Sequence, residues 1–329
     1  MNPNEKILEL RDLKLNFYTG KGIARILDGV DLSLKRGEIL GLIGESGSGK
    51  TVTSLTILNL LPQPPAIIES GTIRFGTVDL LKLSSRELLK IRGARIGMIF
   101  QEPATALDPF ATIGGQIAGV MSLHGERSSI DRKAVRRRIL ELLETVDMPR
   151  PSAMVSAYPH ELSGGMQQRA MIARVLACDP EIIIADEPTS SLDVTTQKRL
   201  MDLFKRLREK GNISSCLFIT HSFGIVAELC DTVAVMYAGR IVESAPVEVL
   251  FAEAYHPYTK ALMRAVPDIN RLDSKLEAIE GAMPSTLTPP SGCRFHPRCP
   301  KRLKRCSVEK PGLVPVGEDH LVACYLYEG

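Results

Sequence analysis

Leu162-Ser163-Gly164-Gly165-Met166-Gln167-Gln168-Arg169 decides how this chain of 329 residues is read. It stands between two pieces of a phosphate site. Upstream, Gly44-Glu45-Ser46-Gly47-Ser48-Gly49-Lys50-Thr51 fits G-x-x-x-x-G-K-[ST]. The glycines of such a loop let backbone N–H groups turn inward on phosphate oxygens, and the following helix N-terminus adds partial positive charge. Lys50 suits the β/γ oxygens and the Thr51 hydroxyl suits Mg²⁺. The loop follows the apolar run Ile39 to Ile43 and precedes a predicted helix from Thr51 to Leu61, stopped by Pro62. Strand, loop, helix is the context it requires. Downstream, the apolar run Ile182 to Ala185 ends in Asp186 and Glu187. A carboxylate at a strand end suits Mg²⁺ through a water, and the next one is placed to orient or deprotonate a water. Between them, Ser163 and the amides of Gly164 and Gly165 open a helix, making a second anion-binding N-terminus.

Composition narrows the class. Hydrophobic residues are 44% and charged residues 24%, ordinary for a globular protein. A net charge of +3 is too small to argue for nucleic acid. No apolar run approaches the ~20 residues that span a bilayer. Met1-Asn2-Pro3-Asn4-Glu5-Lys6 lacks a signal-peptide pattern, so the cytosol is expected, where disulfides are rare. Of seven cysteines, Cys178, Cys216 and Cys230 sit among apolar neighbours and read as buried inert thiols.

Along the chain, Leu13, Leu15 and Phe17 share one face of a predicted strand over 7–17. Residues 96–100 read as a strand, 113–177 as mostly helical, and 182–186, 216–220 and 232–237 as strands, with helices after the first two. Val135, Ile139, Leu142, Leu143 and Val146 form one apolar stripe, so Arg136-Arg137-Arg138 opposite it reads as a solvated face. The pattern predicts an α/β core with a helical insertion. Gly281 to Gly292, rich in Pro, Ser and Thr, reads as an extended linker.

The phosphate loop, the LSGG run and the Asp186-Glu187 pair in this order resemble the ATPase subunits of ABC transporters, over about residues 7 to 260. The implied fold is a P-loop NTPase core of ABC type with a helical subdomain (about 101–177) and a small cysteine-rich C-terminal extension: domains 1–260 and 261–329. The resemblance implies a catalytic role for Glu187, with Gln101 after the strand reaching Mg²⁺ and the water, and His221 acting as the switch histidine at the γ-phosphate. ATP and Mg²⁺ would be held by Gly44, Ser46, Gly47, Ser48, Gly49, Lys50, Thr51, Gln101 and Asp186. Phe17, or secondarily Tyr18, would stack on adenine, although Phe17 also fits a core face. Leu162, Ser163, Gly164, Gly165 and Gln167 would face ATP held by another subunit. Ser191, Leu192 and Asp193, in Asp186-Glu187-Pro188-Thr189-Ser190-Ser191-Leu192-Asp193, would touch that subunit.

Three further blocks resemble the dipeptide, oligopeptide and nickel importer family. They are Gln101-Glu102-Pro103 with Leu107-Asp108-Pro109, His256-Pro257-Tyr258-Thr259-Lys260-Ala261-Leu262, and Cys293-Arg294-Phe295-His296-Pro297-Arg298-Cys299-Pro300. They imply an ATPase that powers peptide uptake, with nickel or glutathione as alternative cargo. The implied partners are a second, different ABC ATPase, two integral membrane permease subunits and an extracytoplasmic peptide-binding protein, with no nucleic acid. The implied location is peripheral, on the cytoplasmic face of the inner membrane. A soluble ABC ATPase of translation or DNA repair is the alternative of another class, but such proteins usually carry two cassettes or a coiled coil. A sugar-importer ATPase with a β-barrel tail needs regular strand-turn spacing, which the last sixty or so residues lack.

Cys293, Cys299, Cys306 and Cys324 have the spacing C-x₅-C-x₆-C-x₁₇-C. Four thiolates complete a zinc site or a [4Fe–4S] cube. Zinc sites usually use tighter C-x₂₋₄-C knuckles, so the spacing favours the cluster, as found in some members of the family, with zinc as the alternative. His296 could ligate zinc but is read as bracing the turn before Pro297. The segment 289–329 has few large apolar residues, so bound metal is expected to supply much of its order. Loosening the tail is expected to leave ATP binding by the core largely intact.

Overall fold

The computed structural model describes residues 5–124, 131–190, 192–265 and 279–328. In chain order the regular elements begin with β1 (Lys6–Thr19), β2 (Gly22–Lys35), β3 (Ile39–Ile43), α1 (Lys50–Ile57), β4 (Ala66–Phe75) and β5 (Val78–Asp79). Next come α2 (Ser85–Leu88), β6 (Ile96–Ile99), α3 (Pro103–Ala106), α4 (Ile113–His124), α5 (Arg132–Thr145), α6 (Pro151–Met154) and α7 (Gly164–Leu176). They continue with β7 (Ile182–Asp186), α8 (Val194–Glu209), β8 (Ser215–Thr220), α9 (Phe223–Leu229), β9 (Thr232–Tyr237) and β10 (Arg240–Pro246). The last are α10 (Val247–Ala252), α11 (Pro257–Arg264), β11 (Val314–Gly317) and β12 (His320–Val322). They divide into two compact units, Met1–Lys82 with Ile219–Gly329, and Leu83–Phe218.

In the first unit, β2-β1-β4-β5 form an antiparallel sheet. Alternation drives it: Leu13 and Leu15 on β1, and Val30, Leu32 and Leu34 on β2, are buried. Phe17 on the same face of β1 is only half-buried. The second sheet of this unit runs β11-β12-β10-β9-β3. Its β3 and β9 are parallel, with Leu40 opposite Thr232 and Ile43 opposite Val235. All five residues of β3 are buried, the near-continuous apolar run typical of a central parallel strand. Helix α1 ends at Ile57, short of the predicted Leu61: Leu58 caps it and Asn59 turns to a positive φ of 47°.

The expected linker is not a free tether, since the Thr286 carbonyl accepts the Arg25 N–H of β2 at 2.8 Å. The cysteine-rich segment packs into a core built by earlier elements. Phe295 is buried with Tyr237, Tyr258, Val242 and Leu250 in one apolar cluster. Its hairpin β11–β12 continues the sheet through β10, pairing Glu243 with Val322.

In the second unit, β8, β7 and β6 lie side by side, β6 and β7 parallel. The predicted helical insertion is α3 to α7. Ile139, Leu142, Leu143 and Val146 of the expected stripe are buried, and Val135 is half-buried. Arg136 and Arg137 are exposed, whereas Arg138 is half-buried and pairs with Asp179 at 2.8 Å. Cys216 is buried, and Cys178 and Cys230 are half-buried.

Candidate nucleotide site

The phosphate loop leaves β3 and enters α1, as its sequence requires. Gly49 caps α1 with φ 110°, and a Cβ there would meet Met236 Cε at 3.0 Å and Leu27 Cδ2 at 3.1 Å. Gly44 has no such torsion, but a Cβ would lie 2.2 Å from the Met236 carbonyl oxygen. Both positions therefore need glycine, one for conformation and one for space. Lys50 is buried, its Nζ donating to the carbonyls of Gly44 at 2.8 Å and Glu45 at 3.1 Å. Ser48 is buried, while Ser46, Gly47 and Thr51 are exposed. Thr51, in the first turn of α1, presents the hydroxyl type that suits Mg²⁺. Phe17 is half-buried and Tyr18 is 45% exposed, so neither ring is sealed in the core. His221 is exposed one residue beyond β8.

The second unit carries the remaining candidates. Asp186, buried, ends β7, and Glu187 follows, half-buried, at φ 45°. This left-handed backbone costs a residue with a Cβ about 1–3 kcal/mol and is held where surroundings over-determine it. Here the Glu187 carbonyl accepts the Ser190 N–H at 3.2 Å and its hydroxyl at 3.0 Å. Gln101 is exposed between β6 and α3.

Ser163 N-caps α7, its Oγ accepting the Met166 N–H at 3.4 Å, while Leu162 is buried behind it. Gly164 is exposed and Gly165 is half-buried. Gln167 donates its amide to the Pro159 carbonyl at 2.8 Å, bracing the turn ahead of the helix. Asp193 caps α8, accepting the N–H groups of Thr195 and Thr196 at 3.0 Å and the Thr196 hydroxyl at 2.7 Å. Hydrogen bonds from Thr196 hold its carboxyl below the usual range. Leu192 is half-buried, and Ser191 lies outside the described residues.

Cys293, Cys299, Cys306 and Cys324 line one small cavity together with Phe295, His296 and Lys301. All four are free thiols. Burial, and then the neighbouring cysteines, push up the thiols of Cys293 and Cys299, and that of Cys324 is pushed up to about 11. Among the described residues no group of three or more His, Cys, Asp or Glu is set to hold a metal ion. His296 braces its turn as expected, Nδ1 lying 2.9 Å from the Cys293 carbonyl.

Sequence reasoning passed over Glu45, which the C-terminal segment grips through Tyr258 and Arg298. The phosphate-loop pattern leaves that position open, so no motif could have flagged it.

Comparison with known proteins agrees with both parts of the chain. A family model described as ABC transporter matches residues 27–190. One described as oligopeptide/dipeptide transporter, C-terminal region, matches residues 242–306. The chain is 46% identical to the probable peptide ABC transporter ATP-binding protein y4tR of Sinorhizobium fredii, covering 98% of this chain and 96% of that protein. The chain belongs to the oligopeptide/dipeptide family of ABC transporter ATP-binding proteins. This ABC protein is also 44% identical to the oligopeptide transport ATP-binding protein AppD of Bacillus subtilis, covering 98% and 97% of the two chains. Among solved structures, the dimeric bacterial ABC transporter cassette MJ0796 superposes with a TM-score of 0.65 at 28% identity, covering 73% of this chain and 98% of that one. The fold is therefore the ABC ATPase cassette, and the chain carries an ATPase domain. Among the described residues no helix is long and apolar enough to cross a membrane.

Proposed function

We propose that this ABC protein hydrolyses ATP to drive import of di- or oligopeptides, as a peripheral subunit on the cytoplasmic face of the inner membrane. The observation that carries this reading is likeness over both parts of the chain, cassette and extension, to peptide-transport ATP-binding proteins. Residues 1–260 act as the nucleotide-binding domain, with the helical subdomain over about 101–177, and 261–329 act as the extension. Its partners are a second ABC ATPase, two integral membrane permeases and an extracytoplasmic peptide-binding protein.

Residue roles follow from side-chain chemistry. Lys50 and the amides of residues 44–51 bind the phosphates. Thr51, Gln101 and Asp186 hold Mg²⁺, which neutralises phosphate charge. Glu187 orients or deprotonates the attacking water, with His221 at the γ-phosphate. Phe17 stacks on adenine. Leu162, Ser163, Gly164, Gly165 and Gln167 engage ATP bound to the partner ATPase, and Ser191, Leu192 and Asp193 touch that partner. The capping bonds of Ser163 and Asp193 keep both helix starts formed before the partner arrives.

Glu187→Gln should bind ATP yet lose turnover by ~10²-fold or more. Normal turnover in the assembled transporter would sink this assignment. Co-purification of the chain with permease subunits, and of the binding protein with its cargo, tests the importer reading. Nickel or glutathione in that binding protein would replace peptide as the cargo.

The four cysteines, we further propose, hold a [4Fe–4S] cluster that cross-links the extension. All four line one cavity, and their spacing is wider than the C-x₂₋₄-C knuckles usual for zinc. Protein purified without oxygen should carry about four irons per chain. One tightly held zinc would overturn the cluster.

A further inference from the structure

Glu45 is held at each of its polar groups. Its N–H donates to Tyr258 Oη at 2.9 Å. Its carbonyl accepts from Lys50 Nζ at 3.1 Å and from the Ser48 N–H at 3.2 Å. Its carboxylate oxygens accept from Arg298 Nη1 at 3.1 and 3.2 Å. Lys50 and Ser48 belong to the loop itself, whereas Tyr258 and Arg298 come from the C-terminal segment.

That grip is rigid. The Arg298 side chain is 6% exposed, and its remaining nitrogens donate to the carbonyls of Glu280 at 3.0 Å and Ile279 at 3.2 Å. Tyr258 is fully buried, its ring 4.5 Å from that of Tyr237 and 5.4 Å from that of Phe295. Arg298 immediately precedes Cys299, and Phe295 lines the cysteine cavity.

We propose that Arg298 is a positioning residue of the phosphate loop: by fixing Glu45 and neutralising its carboxylate, it makes ATP affinity depend on the folded cysteine-rich segment. The inference rests on reading residues 44–51 as the ATP loop. Lys50 now bonds two loop carbonyls, and a phosphate would draw its amine away. Glu45 then keeps only the Ser48 N–H on its carbonyl, and the anchors that persist are Tyr258 and Arg298. Without the guanidinium, a carboxylate would stand uncompensated in a loop that must receive a polyphosphate. Repulsion and a loosened loop both weaken binding.

The test uses the full-length chain, with the Kd for Mg-ATP measured by calorimetry well below the melting midpoint of every variant. Arg298→Gln should weaken ATP binding about fivefold or more. Arg298→Lys, which keeps the charge, should recover part of the loss. In a Glu45→Gln background, Arg298→Gln should add little, because the carboxylate it serves is gone. Tyr258→Phe, which removes only the hydroxyl that accepts the Glu45 N–H, should shift Kd in the same direction. In the assembled transporter, KM for ATP should rise in Arg298→Gln while kcat at saturating ATP holds. Cys306→Ser, which does not touch Glu45, should weaken ATP binding by loosening the segment. This reverses the sequence expectation that a loosened tail leaves ATP binding intact, because Tyr258 and Arg298 tie that segment to the loop.

Lys50→Ala separates the two layers. If it binds ATP as well as the unchanged chain, the reading of the loop fails and takes this inference with it. If Lys50→Ala loses ATP while Arg298→Gln and Tyr258→Phe bind normally, the positioning role alone is overturned. An Arg298→Gln effect of equal size with and without Glu45→Gln also overturns it, because the arginine would then act as general support.

Discussion

Replacing Arg294 by methionine removes the buried partner of an ion pair that ties the cysteine-rich segment to β2. Asp28 on β2 accepts from Arg294 Nη2 at 2.9 Å and Nε at 3.2 Å. It accepts from Lys310 Nζ at 2.8 Å on both oxygens, and Arg240 Nη1 stands 3.8 Å away. The side chain of Arg294 is 4% exposed, against 42% for Lys310, so the two cations are not equivalent. Stranding a buried charge costs about 3–5 kcal/mol. Lys310 and Arg240 still face Asp28 in Arg294→Met, so about 2 kcal/mol is expected there, and about 0.5 kcal/mol for the exposed partner in Lys310→Met. At roughly 1.5 °C per kcal/mol for a chain of this length, Arg294→Met should melt about 3 °C lower by circular dichroism. In the pair Asp28→Asn with Arg294→Met, the losses should be less than additive by about 1 kcal/mol.

The pH dependence has a definite sign. Burial alone would raise the Asp28 carboxyl, but hydrogen bonds from Lys310 and Arg294 outweigh it and hold the group below its usual range. A depressed carboxylate contributes stability above its unfolded pKa of about 3.9 and loses it as pH falls through the folded value. The gap between wild type and Arg294→Met should therefore close below about pH 4. Equal midpoints for Arg294→Met and Lys310→Met, or a gap that widens on acidification, would refute the reasoning.

Three other outcomes are expected. Gly44→Ala drives a Cβ to 2.2 Å from the Met236 carbonyl and should destabilise the chain by about 1–3 kcal/mol, read by thermal unfolding, and weaken ATP binding. Burial lowers the His256 imidazole to about 3, and its Nδ1 accepts the Tyr258 N–H, so it folds neutral. Such a group contributes stability above its unfolded pKa of about 6.5 and loses it on acidification, so going from pH 7 to pH 5 should cost about 2 kcal/mol that His256→Asn does not lose. Glu243, fully buried, accepts from the N–H groups of Tyr255 and His256 and lies 2.9 Å from His320 Nε2. Glu243→Ala should cost about 3 kcal/mol or more in urea unfolding, whereas a loss under 1 kcal/mol would mean water replaces the carboxylate.

The cassette was legible because its motifs are local. Gly49 needs a left-handed backbone, Ser163 caps the helix three residues ahead of Met166, and Ile39 to Ile43 announces a buried strand within a few residues of the loop it feeds. The antiparallel sheet was read only at β1, since the partners of Leu8, Phe75 and Leu34, are set by pairing across long separations. The tail misled for the same reason. Its own residues are poor in large apolar side chains, but Phe295 completes a core whose other members, Tyr237 and Tyr258, belong to earlier elements. A Pro- and Thr-rich stretch signals an extended backbone, and nothing in it announces that Thr286 bonds to Arg25.

The β11–β12 hairpin sets a timetable for biosynthesis. Strand β10 takes one hydrogen-bonding partner from β9, made just before it, and the other from β12, made some seventy-five residues later. A ribosome therefore delivers β9 and β10 with one strand edge still open. Until residues 314–322 emerge, that edge is a template for pairing with a neighbouring nascent chain. When it arrives, β11 becomes the new border, four residues long and interrupted by Pro315, a short strand ill-suited to recruiting another. Chains stopped before Val314 should accumulate as aggregates even though every cassette motif has already been translated.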